Sequence, residues 1–176
     1  MKRIIMLMFC LGIQNLVFAQ NIQQDKIDVQ KVLKRYSEVT SCETSFDDNE
    51  FSLKDIFLVN KDEDDTAYYV YWRADFGCRG GSGTTGFYIS EVGHYSDPTF
   101  LVRNNAAFGE EVEQIISSGF ITKVSQVNKN HFVIFTAKHD EDDSPNFPSL
   151  LYEYVVKRES NYDTWDVVSS RLIKKQ

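Results

Sequence analysis

The chain is poor in the residues that usually build metal centres. Its 176 residues include three histidines and three cysteines, and the histidines lie far apart in sequence, which argues against a zinc site. Beyond residue 19 no asparagine stands in an Asn-x-Ser/Thr sequence, which favours a bacterial periplasm over a glycosylating pathway. No apolar run reaches the roughly 20 residues that a membrane-spanning helix needs. We therefore expect no zinc, no cofactor and no membrane span.

The first twenty residues have the pattern of a secretory leader. Lys2 and Arg3 form a basic start, residues 4–12 are apolar, and Ala19 provides a small residue before Gln20. This order is typical of a signal peptide. Cys10 is a poor lipidation site, because Phe9 is bulky where a small residue is expected. We predict that residues 1–19 are a signal peptide and that the mature protein is periplasmic or secreted.

Basic side chains are outnumbered by acidic ones. The chain has 19 Lys and Arg against 26 Asp and Glu, a net charge of −7, and loss of Lys2 and Arg3 with the leader leaves 17 against 26, a net charge of −9. Such a surface repels nucleic acid and anionic lipid. The composition therefore predicts neither a nucleic-acid partner nor membrane insertion after cleavage. It is compatible with a protein partner.

Cys42 and Cys78 remain after the leader is removed. In an oxidising compartment an isolated pair is most simply a disulfide. Closing a loop of about 36 residues stabilises the fold by about 3–4 kcal/mol in the entropy model. The alternative is that Cys78 is a reactive thiol in the glycine-rich loop around it.

Hydrophobic periodicity predicts two helices and eight strands. The helices are residues 22–39 and a segment that places Phe108, Val112, Ile115 and Ile116 on one face and ends at Gly119. The strands are residues 51–60, 66–75, 86–92, 99–103, 120–127, 131–138, 150–157 and 164–172. The fold class is therefore α+β and antiparallel, with a helix packed on each sheet. Two tandem helix-plus-four-strand units cover residues 20–103 and 104–176, as separate lobes or as one continuous domain.

The two units also align with each other. A shift of 63 residues brings "YVYWRADFG" (69–77) onto "FVIFTAKHD" (132–140) and "FYISEV" (87–92) onto "LLYEYV" (150–155). The alternating inward face and the connection length are kept in this alignment, which predicts an internal duplication. The element order is similar to that of the secreted β-lactamase inhibitory proteins. That resemblance lies in the layout alone and implies no function.

The run "GCRGGSGTTG" (77–86) matches no catalytic loop. A phosphate loop needs a lysine that is missing here, and Thr84 stands where a nucleophile elbow needs its second glycine. Glycines suit the connection of a bulged hairpin. Arg79 is the charged residue of this connection and a candidate for contact with a partner.

Further candidates come from acidic and aromatic runs. Together with Arg79, the partner-binding candidates are Asp62, Asp64, Asp65, Asp140, Asp142, Asp143, Tyr69 and Tyr71. The two tyrosines qualify if they are exposed. Asp140, Asp142 and Ser144 match the first ligands of a calcium loop, but Pro145 and Leu151 break that pattern. We expect solvated acidic turns, with a weak calcium site as the alternative.

These observations favour an exported, non-enzymatic protein-binding module, such as an inhibitor or immunity protein. One alternative is a secreted hydrolase of cell-wall or extracellular material. It would use Ser82, or one of the carboxylates, close to His94, His131 or His139. Another is a small-ligand-binding protein with an apolar pocket between the halves, lined by Trp72 or Phe135. The oligomeric state and the identity of the partner do not follow from the sequence.

Overall fold

The computed structural model describes residues 2–47, 50–76, 78, 85–116, 120–144 and 147–175, and it describes side chains from residue 21 to residue 174 within those ranges. The helices are α1 (Lys2–Thr40) and α2 (Glu110–Ile116), with a short 3-10 helix at Leu53–Asp55. The strands are β1 (Ser41–Thr44), β2 (Ile56–Lys61), β3 (Thr66–Phe76), β4 (Gly86–His94), β5 (Leu101–Asn104), β6 (Ile121–Asn128), β7 (His131–Lys138), β8 (Leu150–Lys157) and β9 (Asp166–Lys175). Within the described part of the chain, neither helix combines the length and apolar character that crossing a membrane requires.

The strands form two antiparallel sheets. Sheet A contains β1 to β5, and both β1 and β2 pair with the same long strand β3. Sheet B is a simple meander in the order β6-β7-β8-β9. The predicted α+β class, with one helix and sheet A followed by a second helix and sheet B, is confirmed. The predicted count of four strands in the first unit is wrong, because β1 makes sheet A five-stranded.

Helix α1 packs on one face of sheet A. Val29 and Leu33 are fully buried one turn apart, as the apolar periodicity of residues 22–39 predicts. They pack with the strand residues of the same core cluster, which are Ile56, Tyr68, Val70, Trp72, Ala74 and Val92. Trp72 donates a hydrogen bond from Nε1 to Ser90 Oγ at 2.9 Å, so its polar atom is satisfied inside the core.

Cys42 and Cys78 close this layer covalently. They form a disulfide with Cα atoms 5.1 Å apart, which confirms the predicted pairing. Cys42 lies in β1 directly after α1 ends, and Cys78 lies just beyond the end of β3. The bond therefore ties the end of the first helix to the sheet that this helix covers.

The opposite face of sheet A packs against sheet B. The second core cluster contains Tyr69 and Ile89 from sheet A, Phe132, Ile134, Tyr154 and Val156 from sheet B, and Val112 and Ile116 from α2. Aromatic rings dominate it: Tyr69, Phe108, Phe132 and Trp165 contact one another with ring centroids 4.9–6.0 Å apart. Helix α2 thus packs into the space between the sheets. It does not cover the other face of sheet B, although the sequence predicted a helix on each sheet.

The alignment of the two units is corrected at the second connection. Val70 pairs with Ser90 in sheet A and Val133 pairs with Val155 in sheet B, so β3 shifts by 63 residues onto β7 while β4 shifts by 65 onto β8. The predicted equal connection length is therefore wrong by two residues. An even number keeps the alternation of the strands intact. The internal duplication stays a prediction.

Gly93 marks a point of close approach in sheet A. A Cβ there would lie 2.8 Å from Arg103 Cζ and would collide with the backbone oxygen of Thr66. Arg103 cannot withdraw without cost, because it forms ion pairs with Asp65 at 2.6 Å and Glu91 at 3.2 Å. We expect Gly93→Ala to lower the free energy of unfolding by about 2 kcal/mol through overpacking, measured by urea denaturation.

Gly109 provides the matched control for this substitution. Its φ is +88° and a Cβ there would meet nothing within 4 Å, so Gly109→Ala carries only a backbone cost of about 1 kcal/mol. An equal loss of unfolding free energy in the two variants would contradict the crowding at Gly93.

Candidate functional site

The face of sheet B turned away from sheet A is apolar at its centre. Alternation along the strands places the inward residues of β7 and β8 in the inter-sheet core, so their neighbours point the other way. Register aligns Ser125, Val133, Val155 and Ser169 in one row and Lys123, Phe135, Glu153 and Arg171 in the next. These eight residues and Leu151 form a surface of nine residues that we call the outer face. None of its apolar residues belongs to either core cluster.

Among the described residues no helix covers the outer face. The main contacts of α1 are with β1, β3, β4, β5 and the 3-10 helix, and α2 contributes Val112 and Ile116 to the inter-sheet core. Val133, Phe135 and Val155 are consequently half-buried by their neighbours within the sheet and are not enclosed. Half-exposed apolar side chains gathered on one flat surface are typical of a surface that another molecule covers.

Charged side chains surround this apolar centre. Lys123 Nζ lies 5.6 Å from the centre of the Phe135 ring, and Arg171 Nε lies 2.8 Å from Glu153 Oε1. Lys157 and Lys174 extend the same side of the sheet beyond these rows, and Asp166 lies opposite Lys157. The outer side of sheet B thus carries an excess of basic groups on a chain whose net charge is −7. An apolar centre with a charged rim is the usual anatomy of a protein interface.

Tyr69 and Tyr71 do not form the exposed aromatic surface that the sequence suggested. Tyr69 is 3% exposed, accepts a hydrogen bond from Trp165 Nε1 at 2.9 Å, and has its pKa raised to about 12 by burial. Tyr71 is half-buried, and its hydroxyl donates to the backbone oxygen of Ile121 at 2.8 Å. Both side chains pack toward sheet B, and the buried Tyr69 is not exposed to a partner.

The first acidic turn is closed by its own carboxylates. Asp62 Oδ1 accepts from the backbone N–H of Asp64 at 3.1 Å and of Asp65 at 2.8 Å. The hydrogen bond from Asn60, followed by that from Asp65, lowers the pKa of Asp62. Asp65 forms the ion pair with Arg103. These contacts are those of turn-forming aspartates, and Asp64 stays an exposed charge beside them.

The second acidic turn is built in the same way. Asp143 Oδ2 accepts from the backbone N–H of Asp140 at 2.7 Å and of Ser149 at 2.6 Å, and the first of these lowers the Asp143 pKa most. Asp142 and Ser144 are exposed. Within the described residues no group of three or more His, Cys, Asp or Glu side chains is arranged to hold a metal ion. The arrangement gives the calcium alternative no support.

The two acidic turns lie at opposite ends of sheet B and do not form one surface. Asn60, which bonds to the first turn, also accepts from Asn161 Nδ2 at 2.8 Å in the connection between β8 and β9. That connection adjoins the start of β7, because the Arg158 N–H bonds to the Asn130 oxygen. The second turn follows the end of β7. Eight strand residues separate the two ends by about 25 Å.

The glycine loop cannot be added to this arrangement. Arg79 and Ser82 lie outside the described residues, so neither a contact at Arg79 nor a hydrolase centre at Ser82 is placed. His131 and His139 bracket β7 at its two ends, and His94 lies on sheet A. Trp72 is 1% exposed in the core under α1, and Phe135 is on the outer face.

A cavity lies between α1 and the connection from β4 to β5. Its volume is about 600 Å³. Helix α1 forms one wall, and Lys61, Thr66 and His94 lie at the sheet side of the cavity. This cavity was not predicted from the sequence, because its lining comes from three segments that only the fold brings together.

The outer face was also missed from the sequence. Residues 132–135 are apolar at every position, which is the pattern of a strand covered on both faces. That pattern could have indicated that sheet B has apolar residues on both faces. The predicted second helix is too short to cover the second face. The resemblance in element order to the β-lactamase inhibitory proteins gains no support from known proteins. No protein-family model, no curated protein and no solved structure matches this chain.

Proposed function

We propose that the protein is an exported, non-enzymatic binding module and that the outer face of sheet B docks on an acidic surface of a partner protein. The observation that carries the proposal is the apolar, basic-rimmed outer face on an otherwise acidic chain. A partner that covers Val133, Phe135 and Val155 removes apolar surface from water. Acidic groups on that partner would complement Lys123 and Arg171 and steer its approach.

The leader pattern and the disulfide both support export. Lys2, Arg3 and the apolar residues 4–12 follow the order of a signal peptide. The disulfide between Cys42 and Cys78 suits an oxidising compartment. We propose on these grounds that residues 1–19 direct export to the periplasm or the medium and are then removed.

The predicted duplication also supports this surface. In the alignment, Val133 and Phe135 take the places of Val70 and Trp72, which α1 covers in sheet A. If the two units share an origin, the outer face of sheet B corresponds to the face of sheet A that α1 covers. A partner would then occupy in sheet B the place that α1 occupies in sheet A.

An inhibitor or immunity protein is the most concrete form of this function. The strands of the outer face are held by the ladders of sheet B and by the inter-sheet core, so this surface is already ordered before binding and little conformational entropy is lost on association. Pre-ordered surfaces of this kind are typical of proteins that block another protein.

Site-specific crosslinking in the native host tests the proposal. A photoreactive benzoylphenylalanine at Ser169 reports on the outer face, and the same group at Val39, which is 82% exposed on α1, is the control. We expect one dominant adduct from position 169 and none of that mass from position 39. Absence of an adduct, or the same adducts from both positions, would overturn the assignment of this face.

Phe135→Glu should remove the adduct formed from position 169. The substitution puts a carboxylate at the apolar centre, where an acidic partner would repel it, and we expect at least a tenfold loss of crosslinked product. Lys123→Glu with Arg171→Glu should also weaken the adduct, and more so at low salt. Thermal melting of each variant checks the fold. Full crosslinking in the folded Phe135→Glu protein would contradict the proposal.

A further inference from the structure

The cavity between α1 and the β4–β5 connection is large enough for a small molecule. Its volume of about 600 Å³ lies within the usual range of ligand sites, roughly 300–1,000 Å³. It lies on the α1 side of sheet A, whereas the outer face belongs to sheet B, which packs against the other side of sheet A. Any ligand here is therefore independent of the proposed partner surface.

The carboxylates that line this cavity are already matched by internal donors. Asp25 Oδ2 accepts from Lys61 Nζ at 2.5 Å and from the Tyr68 hydroxyl at 2.9 Å. Burial, followed by this hydrogen bond to Asp25, raises the pKa of Tyr68, so its hydroxyl keeps its proton. Asp28 accepts from Lys31 Nζ at 2.9 Å. The negative charge of the cavity is thus balanced within the protein.

Arg35 supplies a positive charge that is not balanced in this way. It lines the cavity from α1, and among the described residues no carboxylate forms an ion pair with it. With Lys31 and Lys61 against Asp25 and Asp28, the charged lining has a net excess of one cation. A guanidinium is well suited to hold a carboxylate through two parallel hydrogen bonds.

The remaining lining includes apolar groups that suit the body of such a ligand. Val32 faces the cavity from α1, and Pro98 and Phe100 face it from the connection between β4 and β5. The Phe100 ring is fixed by edge contacts to His94 at 4.8 Å and to Tyr68 at 6.1 Å between centroids. An apolar wall beside one unbalanced cation selects for an amphipathic anion over a sugar or a cation.

We propose that this cavity binds a small organic carboxylate with an apolar body, its carboxylate on Arg35 and its apolar part against Val32 and Phe100. All three residues follow residue 19, so removal of the leader leaves the site complete. Uncharged or cationic molecules of the same size lack the contact with Arg35.

Calorimetric titration with octanoate tests this site, using protein purified after expression of the full chain with its own leader. We expect saturable binding at one site and no binding of octylamine, whose charge is opposite. Arg35→Gln should weaken octanoate binding at least tenfold, and Phe100→Ala should weaken it severalfold. Arg171→Gln, which removes a cation from the outer face, is the matched control and should bind octanoate like the parent protein.

Three results would overturn the site. They are no heat with octanoate in protein that melts cooperatively, equal affinity in Arg35→Gln and the parent, and binding of octylamine as tight as that of octanoate. Phe135→Glu separates this proposal from the partner surface, because it should lose crosslinking and keep octanoate binding. Loss of octanoate binding in folded Phe135→Glu would mean that the fatty acid occupies the outer face instead.

Discussion

Replacing Cys42 and Cys78 together with serine is expected to lower the free energy of unfolding by about 3–4 kcal/mol. The bond joins residues 36 apart in sequence, and its loss frees a loop of that length in the unfolded chain. Both cysteine side chains are exposed, so the serines leave no cavity behind. Urea denaturation of the oxidised parent and of the double variant measures the difference. An unchanged midpoint would contradict the stabilising role of the bond.

Two further variants separate the effect of the crosslink from its surroundings. Cys78 has a φ of 53°, a left-handed conformation that costs a non-glycine residue about 1 kcal/mol. Cys42→Ser with Cys78→Gly should therefore recover up to about 1 kcal/mol of the loss. Cys10→Ser lies in the proposed leader, so under that proposal it should leave the stability of the purified protein unchanged. A loss in Cys10→Ser as large as in the double variant would show that Cys10 stays in the folded protein.

The individual elements of this fold were predictable because strand alternation is local information. The bounds of β3, β7 and β8 agree with the predicted strands within one residue at each end. Strand β1 was missed because its four residues, Ser41–Thr44, show no apolar alternation. It joins sheet A through pairing with the end of β3, beside the disulfide and the buried Phe46. Those are contacts between distant segments, which a local pattern does not contain.

The arrangement of the layers was less predictable for the same reason. Periodicity shows that Tyr69 and Phe135 lie on the opposite sheet face from their sequence neighbours. It does not show which part of the protein packs against each face. Sheet B covers the side of sheet A that carries Tyr69, so this tyrosine is core and not binding surface. Phe135 points the other way, where neither helix lies. The condition of exposure set for Tyr69 is therefore not met.

Ion pairs between residues remote in sequence were not predictable. Asp65 was predicted as a solvated turn residue, yet its ion-pair partner Arg103 is 38 positions away. The cavity at Arg35 depends likewise on α1, sheet A and the β4–β5 connection meeting. Local spacing identified the acidic turns correctly as turns. It could not distinguish charged side chains that form ion pairs within the fold from charged side chains that remain available to a ligand.

Glu113→Gln is expected to stabilise the protein by about 3–4 kcal/mol at pH 8 and to change its stability little at pH 5. Glu113 is 8% exposed in α2, and its Oε1 has no hydrogen-bond partner among the described residues. Burial raises its pKa to about 8, although the backbone N–H groups of Phe108 and Ala107 oppose that rise. The folded protein therefore holds a neutral carboxylic acid at neutral pH.

The sign of the pH dependence follows from the two states. The unfolded chain releases the proton near pH 4.5, the ordinary value, whereas the folded protein keeps it to about pH 8. Between these values the folded state binds more protons, so stability falls as the pH rises and the loss is complete above pH 8. Glutamine is uncharged throughout and removes this loss. Urea denaturation at pH 5, 6, 7 and 8 should show parent and variant curves that diverge steadily with pH.

Glu111→Gln is the matched control for this charge change. Glu111 lies two positions away on the same helix and is exposed, so its substitution removes the same charge without the burial. Surface charges change stability by a fraction of a kcal/mol, and we expect no divergence between pH 5 and pH 8 in this variant. If Glu111→Gln diverged from the parent as steeply as Glu113→Gln, the helix charge as a whole would be responsible. Parallel curves for Glu113→Gln and the parent would instead show that Glu113 is ionised in the folded protein and reaches water or a counter-charge at the rim of α2.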